Sequence, residues 1–154
     1  MDIKDLEILN ILQNDSKASN PTIGKAVGLT PSAVFERVRK LEAQDVIQSY
    51  HTKLNYKKLG FGVLAFVFLK VSIGDTENDI DTALAQIDEI LEVHHTSGEY
   101  CYTLKVRAEN NDDLGNLLLK KVHPIKGILA TQSIIVLKSI KETGRIPLKI
   151  QTGD

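Results

Sequence analysis

Thr30-Pro31-Ser32-Ala33-Val34-Phe35-Glu36-Arg37-Val38-Arg39-Lys40-Leu41-Glu42-Ala43-Gln44 reads as one helix with a committed inner face and a free outer one. Thr30 can cap it with its hydroxyl, and Pro31 suits the first helical position, where a missing N–H costs nothing. Val34, Val38 and Leu41 form a single apolar stripe at helical spacing. A step of about 100° per residue sets Ser32, Glu36, Arg39, Lys40 and Ala43 roughly opposite that stripe, with Ala33 and Arg37 on its flanks. The outer face is cationic on balance and carries small residues. A solvated helix face has much the same composition, so the neighbouring residues must decide between the two readings.

Those neighbours favour a helix that touches something large. Leu6, Ile8, Leu9, Ile11 and Leu12 make Asp2 to Gln13 an amphipathic helix begun by an Asp-rich turn, and Asn14-Asp15-Ser16 ends it. Asn20 followed by Pro21 repeats the cap-then-proline start, and Ile23, Ala26 and Val27 give a short helix that must stop at Gly28. Ala26-Val27-Gly28-Leu29-Thr30 then supplies a small residue, a glycine turn and an apolar anchor between two short helices. These are the parts of a helix-turn-helix, whose second helix enters a DNA major groove. A plain three-helix bundle is the competing reading. Under the DNA reading Arg37, Arg39 and Lys40 meet phosphates or guanine edges, while Thr30, Ser32 and Ala33 lie near the helix start, where base contacts concentrate. Glu36 is discordant there: it repels phosphate unless it accepts from a cytosine amino group or holds Arg39 or Lys40 in place.

The whole chain of 154 residues has a formal net charge of −1, which hides an asymmetry. Residues 1–60 carry 9 Lys+Arg against 7 Asp+Glu, whereas 61–154 carry 10 against 13. From Thr30 to Lys58 the count is 6 basic to 3 acidic, a modest footprint for a nucleic-acid binder and one that pairing two copies would reinforce. Hydrophobic residues at 42% and charged residues at 25% suit a globular domain rather than a disordered chain. No apolar run has the length of a membrane span, and Met1-Asp2-Ile3-Lys4-Asp5 lacks the layout of a secretory leader, so the expected compartment is the cytoplasm. Cys101 is the only cysteine, and His51, His94, His95 and His123 show no metal-ligand spacing, so neither an intrachain disulfide nor a metal site is expected.

Asp45 to Leu54 leaves the helix as an extended segment, and Asn55 to Gly60 is a polar, glycine-ended linker. The division is therefore 1–54 for the helical domain with its extended exit, 55–60 for the linker and 61–154 for a second domain. Phe61 to Ile73 is a strand apolar on both faces, Val63, Ala65, Val67, Leu69 and Val71 on one and Leu64, Phe66 and Phe68 on the other. One face covers the domain's own helices, and the other suggests sheet-to-sheet packing in a dimer. A helix from Gly74-Asp75-Thr76 to Leu91, strands at Glu92 to Thr96 and Tyr100 to Ala108, a helix from Asn111 to Val122 and a strand from Ile128 to Ile140 complete the pattern. The order βαββαβ is that of a ferredoxin-like domain, and the fold class is α+β. Its loops hold no Gly-rich phosphate loop, no nucleophile beside a base and no close carboxylate pair, so no enzyme and no cofactor are expected.

With these elements in order, the chain resembles the Lrp/AsnC, or feast/famine, family of bacterial and archaeal transcriptional regulators, from Asp5 to about Leu148. Asp5-Leu6-Glu7-Ile8-Leu9, Val27-Gly28-Leu29-Thr30-Pro31-Ser32 and Arg37-Val38-Arg39-Lys40-Leu41-Glu42 look like the family's DNA-binding half. Val46-Ile47-Gln48-Ser49-Tyr50 resembles its hinge strand, and Ser97-Gly98-Glu99-Tyr100-Cys101-Tyr102 its Gly-Asp-Tyr-Asp-Tyr segment. Gly127-Ile128 and Ser133-Ile134-Ile135-Val136-Leu137 look like its last strand. The resemblance implies a winged helix-turn-helix joined by a hinge strand to a ferredoxin-like (RAM/ACT-like) domain. It also implies homodimers that assemble to octamers, double-stranded DNA as partner, and a small effector, usually an amino acid, bound where dimers meet. Gly98, Glu99, Tyr100, Cys101, Thr131 and Ser133 would form that effector site, with Glu99 facing an ammonium and hydroxyls from Thr131 and Ser133. The sequence departs from the family at Glu99 and Cys101 in the effector segment, at Glu36 on the recognition helix, and at Asp45, where a glycine is usual. An amino-acid-sensing oligomer whose helix-turn-helix no longer finds a specific DNA site is the alternative reading.

Overall fold

In the computed structural model, which describes residues 1–72 and 77–149, the chain divides into two units. The first comprises residues 1–53 together with the segment from Lys141 onward, and the second comprises Leu54–Ile140.

Three helices build the first unit: α1 (Ile3–Asn14), α2 (Asn20–Val27) and α3 (Pro31–Ala43). At the start of α1 the Asp2 carboxylate accepts the Asp5 N–H and the Asp5 carboxylate accepts the Asp2 N–H, each at 2.9 Å, so two otherwise unpaired donors are satisfied reciprocally. Ser19, rather than Asn20, caps α2 by accepting from the Thr22 N–H at 3.3 Å. Asn20 and Pro21 are its first two helical residues, because proline is tolerated through the first turn and not only at its opening position. Thr30 caps α3 as the sequence suggests, its Oγ1 accepting from the Ala33 N–H at 3.2 Å. Ile8, Ile23, Val27 and Val34 form the buried core, with Ile11, Leu12, Ala18, Leu29 and Val38 packed around it.

Past α3 the sequence reading expects a hinge strand, yet among the described residues the first unit contains no strand at all. An extended segment becomes a strand only when a neighbour takes its backbone N–H and C=O groups, and among the described residues, 46–54 join no ladder. Local side-chain bonds hold the segment instead. The Tyr50 hydroxyl donates to Glu42 Oε1 at 2.8 Å, and Lys53 Nζ donates to the Glu142 carbonyl at 3.0 Å. The C-terminal segment also belongs here, whereas the sequence reading assigned all of 61–154 to the second domain. Ile146 donates its N–H to Gln13 Oε1 at 2.8 Å and accepts from Gln13 Nε2 at 3.3 Å.

The second unit opens with a 3₁₀ turn at Tyr56–Leu59, followed by β1 (Val63–Val71), α4 (Glu77–Ala85), β2 (Ile90–His95), β3 (Tyr102–Ala108), α5 (Asn111–Leu117) and β4 (Ile128–Ile135). A wider turn at Leu118–Val122 extends α5. The sheet order is β2-β3-β1-β4 with every pair antiparallel, the ferredoxin-like arrangement expected from βαββαβ. In register, Ala65 lies opposite Val106, Val67 opposite Leu104 and Leu69 opposite Tyr102. These residues make one face, packed with Ile80, Leu84, Leu114, Leu117 and Val122 into the larger core. Phe66, Phe68 and Ile134 share the other face, where Phe66 pairs with Ile134.

Two elements end earlier than the sequence periodicity suggests. Helix α4 stops at Ala85, and Leu91 sits on β2 with 44% of its surface exposed. Ile87 and Ile90 fit both a helical and a strand period, and the chain must turn between them to deliver β2 to the sheet. The expected cap at Gly74-Asp75-Thr76 lies outside the described residues. Strand β4 stops at Ile135 rather than Ile140, because β1 begins at Val63 and its last ladder partner, the Leu64 carbonyl, is taken by the Val136 N–H at 2.8 Å.

Candidate DNA-binding helix and effector cleft

The turn between α2 and α3 is tight for a reason the sequence pattern only half discloses. Gly28 adopts φ 72°, the left-handed conformation that suits glycine, and its N–H bonds the Gly24 carbonyl. The Leu29 N–H also reaches that carbonyl, at 2.9 Å. The close approach itself occurs at Gly24, where a Cβ would meet the Leu29 carbonyl oxygen at 2.5 Å. Ala26, named from the sequence as the small residue of the motif, is exposed.

Of the residues assigned to DNA, Thr30, Ser32, Glu36, Arg39 and Lys40 are all exposed along one side of α3, and Ala33 is half-buried beside its cap. The Thr30 and Ser32 hydroxyls share a hydrogen bond at 3.1 Å, which fixes both at the helix start. Among the described residues neither Arg39 nor Lys40 has a side-chain partner, so both cations face solvent. Arg37 has a different engagement. One guanidinium nitrogen donates to Asp2 Oδ2 and Asp5 Oδ1, each at 2.7 Å, which clamps α3 to the start of α1. Two hydrogen-bonded carboxylates raise the Arg37 pKa further. The Asp5 backbone N–H first, and Arg37 second, hold the Asp2 carboxyl below its ordinary value. Phe35, which sequence reading passes over, lies on the exposed side next to Ser32 and Arg39 with 52% of its surface open. Just beyond the helix Asp45 adopts φ 57°, the glycine-like conformation. Tyr50 folds back onto Glu42, and partial burial followed by that carboxylate pushes its phenol up to about 12.

In the second unit the β2–β3 turn carries Gly98 at φ 117°, and a cleft of ≈ 460 Å³ opens beside it. Gly98, Glu99 and Cys101 line this cleft together with Lys70, Ser72, His95 and Thr96. Thr96 pins the turn from inside, giving its N–H to the Cys101 carbonyl at 2.7 Å and its hydroxyl to the Tyr100 carbonyl at 3.2 Å. Glu99 is held at 2.7 Å by Lys70, whose ammonium lowers the pKa of Glu99 and is itself raised in return. His95 stacks on Tyr102 with ring centroids 4.7 Å apart, and the buried Tyr102 anchors the pair by donating to Asp81 Oδ1 at 2.6 Å. Tyr100 is half-buried and does not line the cleft. Thr131 belongs to a second, shallower cleft of ≈ 330 Å³ with His123, which it meets at 2.9 Å, and Ser133 is exposed on β4 opposite Val67. A single chain therefore gathers Gly98, Glu99 and Cys101 but leaves Thr131 and Ser133 apart from them. Lys70, His95 and Thr96 were not assigned to this cleft from the sequence. Of these, Lys70 is the only charged residue in the β1 run, and that was the available signal.

A helix-turn-helix followed by a ferredoxin-like sheet with a cleft beside its β2–β3 turn is the layout of a two-part DNA-binding regulator. Comparison with known sequences agrees in both halves: residues 1–42 match the AsnC-type helix-turn-helix domain, and residues 64–146 match the Lrp/AsnC ligand binding domain. The chain belongs to the Lrp/AsnC family of transcriptional regulators. It is 38% identical over 149 residues to the HTH-type transcriptional regulator FL11 of Pyrococcus horikoshii, covering 97% of each chain. It is 35% identical over 151 residues to the leucine-responsive regulatory protein of Escherichia coli K12, covering 97% of this chain and 92% of that one. Among solved structures, a Neisseria meningitidis transcriptional regulator in complex with L-methionine superposes with a TM-score of 0.91 at 26% identity over 96% of both chains. The family is one of transcriptional regulators, not of enzymes. No helix among the described residues is long and apolar enough to cross a membrane.

Proposed function

We propose that the chain is a sequence-specific DNA-binding regulator that places α3 in the major groove of a pseudo-palindromic site and is modulated by an amino acid. The observation that carries this is the exposed row of Thr30, Ser32, Glu36, Arg39 and Lys40, with both cations unpaired on a helix held rigidly by its cap and by the Arg37 clamp. Phosphate contacts from Arg39 and Lys40 supply affinity, and the residues at the helix start face base edges. Arg37 supports the reading as a positioning residue rather than as a DNA contact. Glu36 remains the side chain suited to a cytosine amino group.

Two copies pair through the apolar sheet face of Phe66, Phe68 and Ile134, which sets two recognition helices on one duplex, and dimers assemble further toward an octamer. The effector cleft is the one beside Gly98. There Glu99 offers a carboxylate to an ammonium, Lys70 offers an ammonium to a carboxylate, and Thr131 and Ser133 join from the adjoining subunit. Solved relatives bound to L-methionine support an amino acid as the ligand class. The protein works in the cytoplasm and has no catalytic activity of its own. An oligomeric scaffold without specific DNA binding gains no support from any observation.

A salt titration of binding to a duplex from upstream of the chain's own gene tests the reading. Binding should exceed that to random duplex and fall steeply with salt. Arg39→Ala should reduce affinity and the salt slope, the latter by about 1, with oligomer mass unchanged. Equal binding to random duplex would sink the proposal.

A further inference from the structure

Phe35 is the only large apolar side chain that α3 leaves exposed, and it sits where the proposed DNA interface needs a reader rather than an anchor. We propose that Phe35 recognises the C5-methyl group of a thymine in the major groove and so sets base preference at one position of each half-site. This inference rests on the DNA-binding reading of α3.

Three observations carry it. First, the residue stands one helical turn from Ser32 and one from Arg39, both exposed, so its ring shares their side of the helix and not the core side of Val34 and Leu41. Second, it is the fifth residue of a thirteen-residue helix, in the N-terminal half that meets base edges when such a helix enters the groove. Third, the cations beside it say what covers it. Arg39 and Lys40 have no side-chain partner of their own among the described residues, so a polyanion satisfies them and lays its groove against the same side of the helix as Phe35. In the major groove the thymine methyl is the protruding apolar feature of a base edge, and it is the one by which a phenyl ring tells bases apart.

The test uses the full-length protein and a duplex selected from a randomised pool by the wild-type chain. Each thymine of the selected site is replaced in turn by deoxyuridine, which removes the methyl group and leaves pairing intact. At one thymine per half-site, wild-type affinity should fall about fourfold, the equivalent of one buried methylene at roughly 0.8 kcal/mol. Phe35→Ala should bind the parent site more weakly and should not distinguish thymine from deoxyuridine at that position, with melting temperature and oligomer mass unchanged. Deoxyuridine that leaves wild-type binding unaffected everywhere, or that weakens Phe35→Ala as much as wild type, overturns the inference while the DNA reading stands. A fall in oligomer mass for Phe35→Ala with thymine discrimination retained overturns it in favour of a contact between copies. A pool from which no sequence is enriched overturns the DNA reading and this inference together.

Discussion

At the scale of single residues, the geometry of the helix-turn-helix depends on two backbone positions of opposite kind. Gly24 needs its missing Cβ for space, since that atom would lie 2.5 Å from the Leu29 carbonyl oxygen. Gly24→Ala should therefore force α2 and α3 apart and lower stability by about 1–3 kcal/mol, read by chemical denaturation. Asp45 occupies a conformation in which a side chain is the disadvantage: φ 57° costs most residues about 1–2 kcal/mol, less for Asp. Asp45→Gly should raise stability by up to about 1 kcal/mol, and a loss would show that the Asp45 side chain contributes there. The two positions also differ in legibility. The departure at Asp45 was visible in the sequence only through the family resemblance, which puts a glycine there. Gly24 was not, because a glycine inside a short helix gives no sign of the neighbour it admits.

At the scale of elements, α3 was fully readable: its cap, its stripe and its outward cations all follow from spacing. What spacing could not show is that Arg37, on the flank, is taken up by α1. The two carboxylates it meets stand more than thirty positions earlier, and only the folded unit brings them within 2.7 Å. That clamp gives a pH dependence of known sign. Asp2 has its pKa lowered on folding, by the Asp5 backbone N–H and then by Arg37. Its contribution is present above the ordinary carboxylate value of 3.8 and is lost as pH falls through the lower folded value. Asp2→Asn should accordingly lower the unfolding midpoint at neutral pH, and the gap to wild type should close in strong acid. A constant gap at all pH values would assign the loss to the cap's shape rather than to its charge. Helix α4 and strand β4 were misjudged in length for one shared reason. Runs such as Ile87 to Leu91 satisfy both periods, and the length of the partner strand, not local preference, decides where pairing stops.

At the scale of the whole molecule, the sheet's second apolar face was legible as a need for a partner, because Phe66 and Phe68 alternate with residues that already have a core to fill. Ile134, 51% exposed and paired with Phe66, marks the place where a charge does most harm to association and least to the fold. If the proposed dimer forms through this face, Ile134→Lys should lower the mass in light scattering from dimer to monomer while keeping the circular dichroism of the wild type; an unchanged mass would overturn that contact. The proposed effector site was legible only in part. The Gly98 turn reads as a plain β-turn until the family resemblance points to it; Lys70 and His95 line the same cleft from β1 and β2, and Thr131 and Ser133 lie apart from it within one chain. Screening the twenty amino acids by thermal shift should reveal the ligand, which at one hundred times its dissociation constant adds about 2.7 kcal/mol.

The pairing of Gln13 with Ile146 alters how the gene can be cut. The polypeptide leaves the helical unit after Lys53 and comes back to it at Lys141, so the sheet unit is spliced into the helical one rather than appended to it. A fragment ending at residue 54 should then unfold at a lower temperature than one that keeps the segment hydrogen-bonded to Gln13, and equal melting would show that segment to be dispensable. A faithful minimal module would join residue 53 to residue 141 through a short flexible bridge. An affinity tag placed close behind Ile146 would crowd Gln13, and a worker wishing to leave α1 undisturbed would do better to place it in a loop of the sheet.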